Sequence, residues 1–147
     1  MNLEPSIWGL HYWATFHFIS STYDDNPNLS VQTTMKNFIQ SIPVLLPCKE
    51  CQDHAFNFIK ESNLNKAVSS RRNLFTFFFN FHNKVNERLN KPLMSIHDAL
   101  KMYRVPKDQH HLYSSTNTST HKTSEMWLIL ILILILIGWF GYIKKFK

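Results

Sequence analysis

Glycine is scarce in this chain of 147 residues: Gly9, Gly138 and Gly141 are the whole complement. A dinucleotide fingerprint or a phosphate-cradling loop needs several closely spaced glycines so that the backbone can approach the ligand, and none can be assembled here. Rossmann and P-loop sites are therefore excluded. Cysteine is scarcer still, with Cys48 and Cys51 alone. A small secreted scaffold needs several bridges in place of a core, so that class falls too. Acidic residues are outnumbered ten to sixteen by Lys and Arg, for a net charge of +6. That balance suggests nucleic acid until it is divided along the chain. Residues 1–105 carry eleven basic against eight acidic residues, and Lys144, Lys145 and Lys147 crowd the far end beside an apolar run. Much of the basicity is membrane flank, and no nucleic-acid partner is expected. The start MNLEPSIWGLHYWATF has no basic stretch ahead of an apolar run, so no cleavable signal is expected.

What is present in quantity is aromatic. Twelve Phe, five Tyr and four Trp imply a core, or a ligand cavity, with an unusual aromatic share, and exclude disorder for the front of the chain. The spacing of Leu10, Trp13, Ala14 and His17 predicts a helix over 6–21, ended by the loop DDNPN. A second is expected over 30–42, with Ser30 as N-cap and Pro43 and Pro47 breaking the chain after it. A third starts at the cysteines and runs to 61. A fourth spans 72–90, capped by Ser69 or Ser70 and stopped by Pro92, and a short fifth covers 95–103. No segment alternates like a strand, so the expected fold is all-α, a four-helix bundle plus a short fifth helix over residues 1–105.

Composition shifts at residue 106. KDQHHLYSSTNTSTHKTSE has no apolar period and reads as a flexible polar linker over 106–125. MWLILILILILIGWFGYI, residues 126–143, spans about 27 Å as a helix and is expected to cross a membrane, leaving a basic tail at 144–147.

Cys48 and Cys51 sit in LPCKECQDHAF, at an expected helix start, where unpaired N–H groups and the helix dipole favour the thiolate. Cys48 is expected at the exposed edge and Cys51 one turn inward. Three readings compete. Cys48, Cys51 and His54, with His82 as a fourth, are a candidate zinc set, although no second close-spaced ligand pair accompanies them. A thioredoxin-like motif would follow a strand, and none is visible. In the third reading the pair exchanges electrons with a cofactor held by the same helices. His82, Asn83 and Asn86 form a polar strip beside Val85 and Leu89, suited to a ligand with one hydrogen-bonding edge and one flat apolar face. The plainer account is a satisfied buried histidine with two exposed asparagines. Likewise Arg71, Arg72, Lys84, Arg88 and Lys91 are either a solvated helix face or a site for phosphate.

Taken together, WGLHYWATFH, the Cys-x-x-Cys pair and HNKVNERLNKP resemble, in this order and spacing, the Erv/ALR family of FAD-dependent sulfhydryl oxidases over about residues 7–103, and most closely its short members from large cytoplasmic DNA viruses. The resemblance implies FAD as cofactor and a redox role for Cys48 and Cys51, with Cys51 against the flavin and Cys48 facing the incoming thiol. It implies that Gly9, Trp13, His17 and Tyr23 line the flavin, and that His82, Asn83, Val85, Asn86, Arg88 and Lys91 surround the adenine, ribose and phosphates. Tyr103 stands where many members have tryptophan and would stack on the adenine; Phe77 and Phe78 lie where another flavin-side aromatic is usual. Many cellular members carry further cysteines, which this chain lacks, so a dithiol protein, such as a small thioredoxin-like or other Cys-x-x-Cys carrier, would reach Cys48 directly. Dioxygen is the implied electron acceptor and a homodimer the implied assembly. The catalytic domain is expected to face the cytosol of an infected cell. The contrasting expectation is a membrane-anchored adaptor, or a zinc-binding helical module, without redox activity.

Overall fold

The computed structural model describes residues 3–103, and the linker, anchor and tail expected after them lie outside those residues. Among the described residues six helices follow in order: α1 (Pro5–Ser21), α2 (Leu29–Leu45), α3 (Lys49–Glu61), α4 (Leu64–Ala67), α5 (Arg71–Arg88) and α6 (Ile96–Met102). The expected all-α bundle of four long helices and a short C-terminal one is present, with the single-turn α4 added. That turn carries no periodicity to betray it; it exists because the Asn63 side chain accepts from Lys66 N–H and starts a helix that one turn exhausts. Among the described residues, no helix is long and apolar enough to cross a membrane.

Helix starts follow local chemistry. Pro5 opens α1, where its missing N–H costs nothing. Asn28, not Ser30, caps α2 by accepting from Val31 N–H. Ser70 caps α5, and Ser95 caps α6 by accepting from Asp98 N–H. Pro43 does not end α2. The helix carries it, buried, in its last turn, where the missing N–H costs only the one bond back to the Ile39 carbonyl.

Helix α5 is the central element. Leu74, Phe75, Phe77, Phe78 and Phe81 are all buried on it. It packs against α1, while α2 packs against α3. Phe16 of α1 stacks on Phe78 with ring centres 5.2 Å apart, and Ile39, Ile42, Ala55 and Ile59 complete the main core. Truncating a ring such as Phe78 would cost about 3–5 kcal/mol. A smaller cluster of Phe75, Ala99, Leu100 and Tyr103 seats α6 on the other side of α5.

Two sets of bonds hold the ends of the bundle. At one end Tyr23 Oη donates to the Val68 carbonyl, and Arg71 donates from N–H to Asp24 O and from Nε to Tyr23 O. At the other, Leu3 N–H donates to Pro47 O, Tyr12 Oη to Leu45 O, and Trp8 Nε1 to Leu3 O. The start of α1 therefore braces the turn that leads into Cys48.

Candidate functional site

Cys48 is the N-cap of α3, and its sulfur accepts from Cys51 N–H at 3.3 Å. The two cysteines form a disulfide with Cα atoms 5.1 Å apart. The expected helix start is therefore in place, but the exposure is not. Cys48 is 7 % exposed, because the braced Leu46–Pro47 turn and the cap fold its sulfur inward, whereas Cys51 is half-buried. Both sulfurs of the candidate zinc set are committed to the disulfide, and among the described residues no group of His, Cys, Asp and Glu is arranged to hold a metal ion.

Beside Cys51 a cavity of about 300 Å³ opens between α1, α3 and α5. That is the lower end of the range for small-molecule sites. Its walls bring together six residues expected from the sequence, Gly9, Trp13, Cys51, His82, Val85 and Asn86, and two expected cations, Arg88 and Lys91. A Cβ built on Gly9 meets nothing within 4 Å, so packing of the protein does not require a glycine there. The space belongs to the cavity.

His82 lies between two partners. Trp13 stacks on its ring at 4.2 Å and nearly parallel, and its Nδ1 is 3.2 Å from His17 Nε2. His17 in turn stacks on Tyr103 at 4.1 Å. Four expected residues thus form one ladder of rings joining α1, α5 and the end of α6. Burial lowers the His17 pKa to about 3, with the neighbouring His82 adding to the effect. Burial, then the charge of Lys91, lowers His82 to about 4. Both imidazoles are neutral at pH 7, so one donates to the other.

Among the described residues, two buried side-chain polar atoms have no protein partner: His17 Nδ1 and Arg88 Nε. Leaving such a group unsatisfied costs about 1–3 kcal/mol; Arg88 lines the cavity, where a bound ligand would recover it, whereas His17 is fully buried and, contrary to expectation, not on the cavity wall. Lys91 comes to the same wall through a helix ending that the sequence encodes. Asn90 adopts φ of 51°, and its N–H donates to Glu87 O while Lys91 N–H donates to Asn86 O. Asparagine tolerates this left-handed position, and the paired bonds close the end of α5. Aromatic walls, open space beside Gly9, an unpartnered guanidinium N–H and a second cation suit a ligand with flat rings and phosphates, as FAD has.

Several expected residues serve other ends. Tyr23 is not on the cavity; it is a core residue, drawn away by its bond to Val68. Phe77 and Phe78 are buried in the core because they point to the α5 face that meets α1 and α3. Asn83 exchanges two 2.9 Å bonds with the backbone of Met94, so its amide clamps the connection to α6. The basic run is split between the two ends of α5: Arg71 pairs with Asp25, and Lys84 with Glu87. Trp8, Tyr12, Phe16, Phe81 and His54 also line the cavity. Of these, Phe16 is one turn beyond Trp13, and His54 one turn beyond Cys51, a helical spacing that could have found them.

Comparison with known proteins agrees with this geometry. The profile of the Erv1 / Alr family matches residues 10–111. The 096R protein of Invertebrate iridescent virus 3 is 44% identical over 150 residues, covering 100% of both chains. The FAD-linked sulfhydryl oxidase of African swine fever virus (isolate Tick/Malawi/Lil 20-1/1983) is 31% identical over 65% of this chain and 79% of its own. Among solved structures, the FAD binding domain of Erv1 from Saccharomyces cerevisiae superposes with a TM-score of 0.65 at 25% identity, over 70% of this chain and 96% of that one. The helical bundle, the disulfide at the cavity wall and these matches together place the chain in the Erv1 / Alr family.

Proposed function

We propose that this chain is a FAD-dependent sulfhydryl oxidase, which forms disulfides in dithiol proteins and delivers the electrons to dioxygen. The observation that carries this reading is the Cys48–Cys51 disulfide with Cys51 on the wall of an aromatic cavity whose rim holds Arg88 and Lys91. FAD, when bound, supplies the two-electron step, accepting the pair from the reduced cysteines and passing it to dioxygen to give hydrogen peroxide.

The chain's own residues do the rest. A substrate thiolate attacks Cys48 sulfur, forming a mixed disulfide and releasing Cys51 as the thiolate. A second substrate thiol breaks the mixed bond, so the substrate leaves oxidised and both cysteines are left reduced. The N-terminus of α3 stabilises the thiolates. Because Cys48 is 7 % exposed, attack needs the Leu46–Cys48 turn to loosen from its brace at Leu3. Trp13, His82 and Val85 give the flat ligand its walls, His17 and Tyr103 support that stack from behind, and Arg88 and Lys91 meet the phosphates. With no other cysteine in the chain, the substrate protein exchanges directly with this pair.

The finer setting belongs to the same proposal. Residues 126–143 anchor the chain in a membrane, the catalytic domain faces the cytosol, and the enzyme serves a viral disulfide-forming pathway. The apolar run and the viral relatives support this. Glycosylation of Asn28 or Asn117 in the expressed protein would put the domain in the lumen instead.

An absorption spectrum of the purified protein tests the central reading, with flavin bands expected near about 370 and 450 nm and dithiol-dependent oxygen consumption alongside. A colourless protein that takes up no added FAD would overturn it.

A further inference from the structure

Glu50 lies between the two cysteines, in the first turn of α3, where a carboxylate favours the helix dipole. Its side chain does more than face solvent. Glu50 Oε1 accepts from Arg88 Nη1 at 2.6 Å, across to the last residue of α5, and lies 3.5 Å from His54 Nε2. The pair spans 38 residues of sequence and joins the redox turn to the cationic rim of the cavity. Arg88 and His54 both line that cavity with Cys51.

The geometry at Arg88 gives this contact its purpose. A guanidinium presents five N–H donors in a rigid fork, so fixing one nitrogen fixes the aim of the others. Glu50 holds Nη1, while Nε is buried with no protein partner. Without Glu50 the long side chain would be free to turn its charge out to water, the usual habit of arginine on a helix surface. Lys84 and Glu87, the nearest alternative charges on α5, already pair with each other.

We propose that Glu50 is a positioning residue for the cofactor: from inside the Cys-x-x-Cys turn it holds Arg88 in the orientation that receives a FAD phosphate. This rests on the FAD-dependent reading above. It ties cofactor retention to the redox turn through one ion pair. Sequence alone leaves the two middle residues of the motif as spacers.

The test is a double-mutant cycle read by FAD affinity of the purified full chain, from quenching of flavin fluorescence, and needing no turnover. Glu50→Gln keeps the shape and is expected to weaken FAD binding about three- to fivefold, the size of a partly exposed ion pair. In an Arg88→Gln background the same change is expected to have no further effect. Glu50→Asp keeps the charge at the helix start but falls one methylene short of Arg88, so it should behave like Glu50→Gln; it also serves if the glutamine variant fails to fold. Unchanged affinity in either variant, or an equal loss in both backgrounds, would overturn the proposal. A wild-type chain that binds no FAD would fail the reading beneath it, a result distinct from binding that ignores Glu50.

Discussion

His17 Nε2 and His82 Nδ1 lie 3.2 Å apart, joining α1 to α5 across 65 residues of sequence. One ring is fully buried and the other half-buried, and each is stacked on an aromatic neighbour. The contact ties the inner face of α1 to α5 by a directional bond, where the surrounding contacts between the two helices are between aromatic rings.

That pair makes stability depend on pH. In the unfolded chain both histidines take up a proton near the ordinary value of 6.5, whereas in the folded protein burial lowers them to about 3 and about 4. Between these values the unfolded state binds more protons, so stability is full above pH 6.5 and falls as pH drops toward 4. The slope from His17 approaches about 1.4 kcal/mol per pH unit. Urea denaturation of the wild type from pH 7 to 4.5 should show the loss, and His17→Gln should show a shallower one. Parallel slopes in the two proteins would refute the assignment.

Gly9 separates the needs of the fold from those of the ligand. A Cβ there meets no protein atom within 4 Å, so Gly9→Ala should stabilise α1 by about 0.5–1 kcal/mol in the absence of FAD. Gly9→Leu would fill the cavity and weaken FAD binding while the helix stays intact. Thermal melts of the apo protein and flavin titrations read the two effects separately; a Leu variant with wild-type affinity would remove Gly9 from the site.

The left-handed Asn90 sets where Lys91 stands. Asn90→Gly should leave stability within a few tenths of a kcal/mol or raise it, whereas Asn90→Val should cost about 1–2 kcal/mol. The valine variant should also bind FAD more weakly, because Lys91 leaves the rim. Equal stability of the two variants would show that the turn relaxes freely.

Cys51→Ser should keep the flavin bands and abolish dithiol-driven oxygen consumption, since the partner of the exchange is gone while the cavity wall is nearly unchanged in shape. Continued turnover in that variant, measured with an oxygen electrode and dithiothreitol, would exclude the Cys48–Cys51 relay.

The apolar period, the Asn and Ser caps and the two cysteines three apart are local signals, and local signals determined the four long helices, the place of the redox pair at a helix start, and the polar strip on α5. They also put Gly9 and Trp13 on one helix face, and His82, Val85 and Asn86 on another, in agreement with the cavity wall. What spacing cannot say is which face meets which. Phe77, Phe78 and Phe81 are equivalent by composition, yet two are core and the third also lines the cavity, because α1 and α3 lie against α5 at particular angles. Tyr23 and Asn83 are polar groups beside apolar runs, and only the folded chain supplied Val68 and Met94 as their partners. The same holds for Cys48, whose burial depends on a turn braced by the start of α1, and for Glu50, whose partner is 38 residues away. Side-chain periodicity encodes direction within an element; distance between elements is decided by packing, and the chemistry of this site depends on those distances.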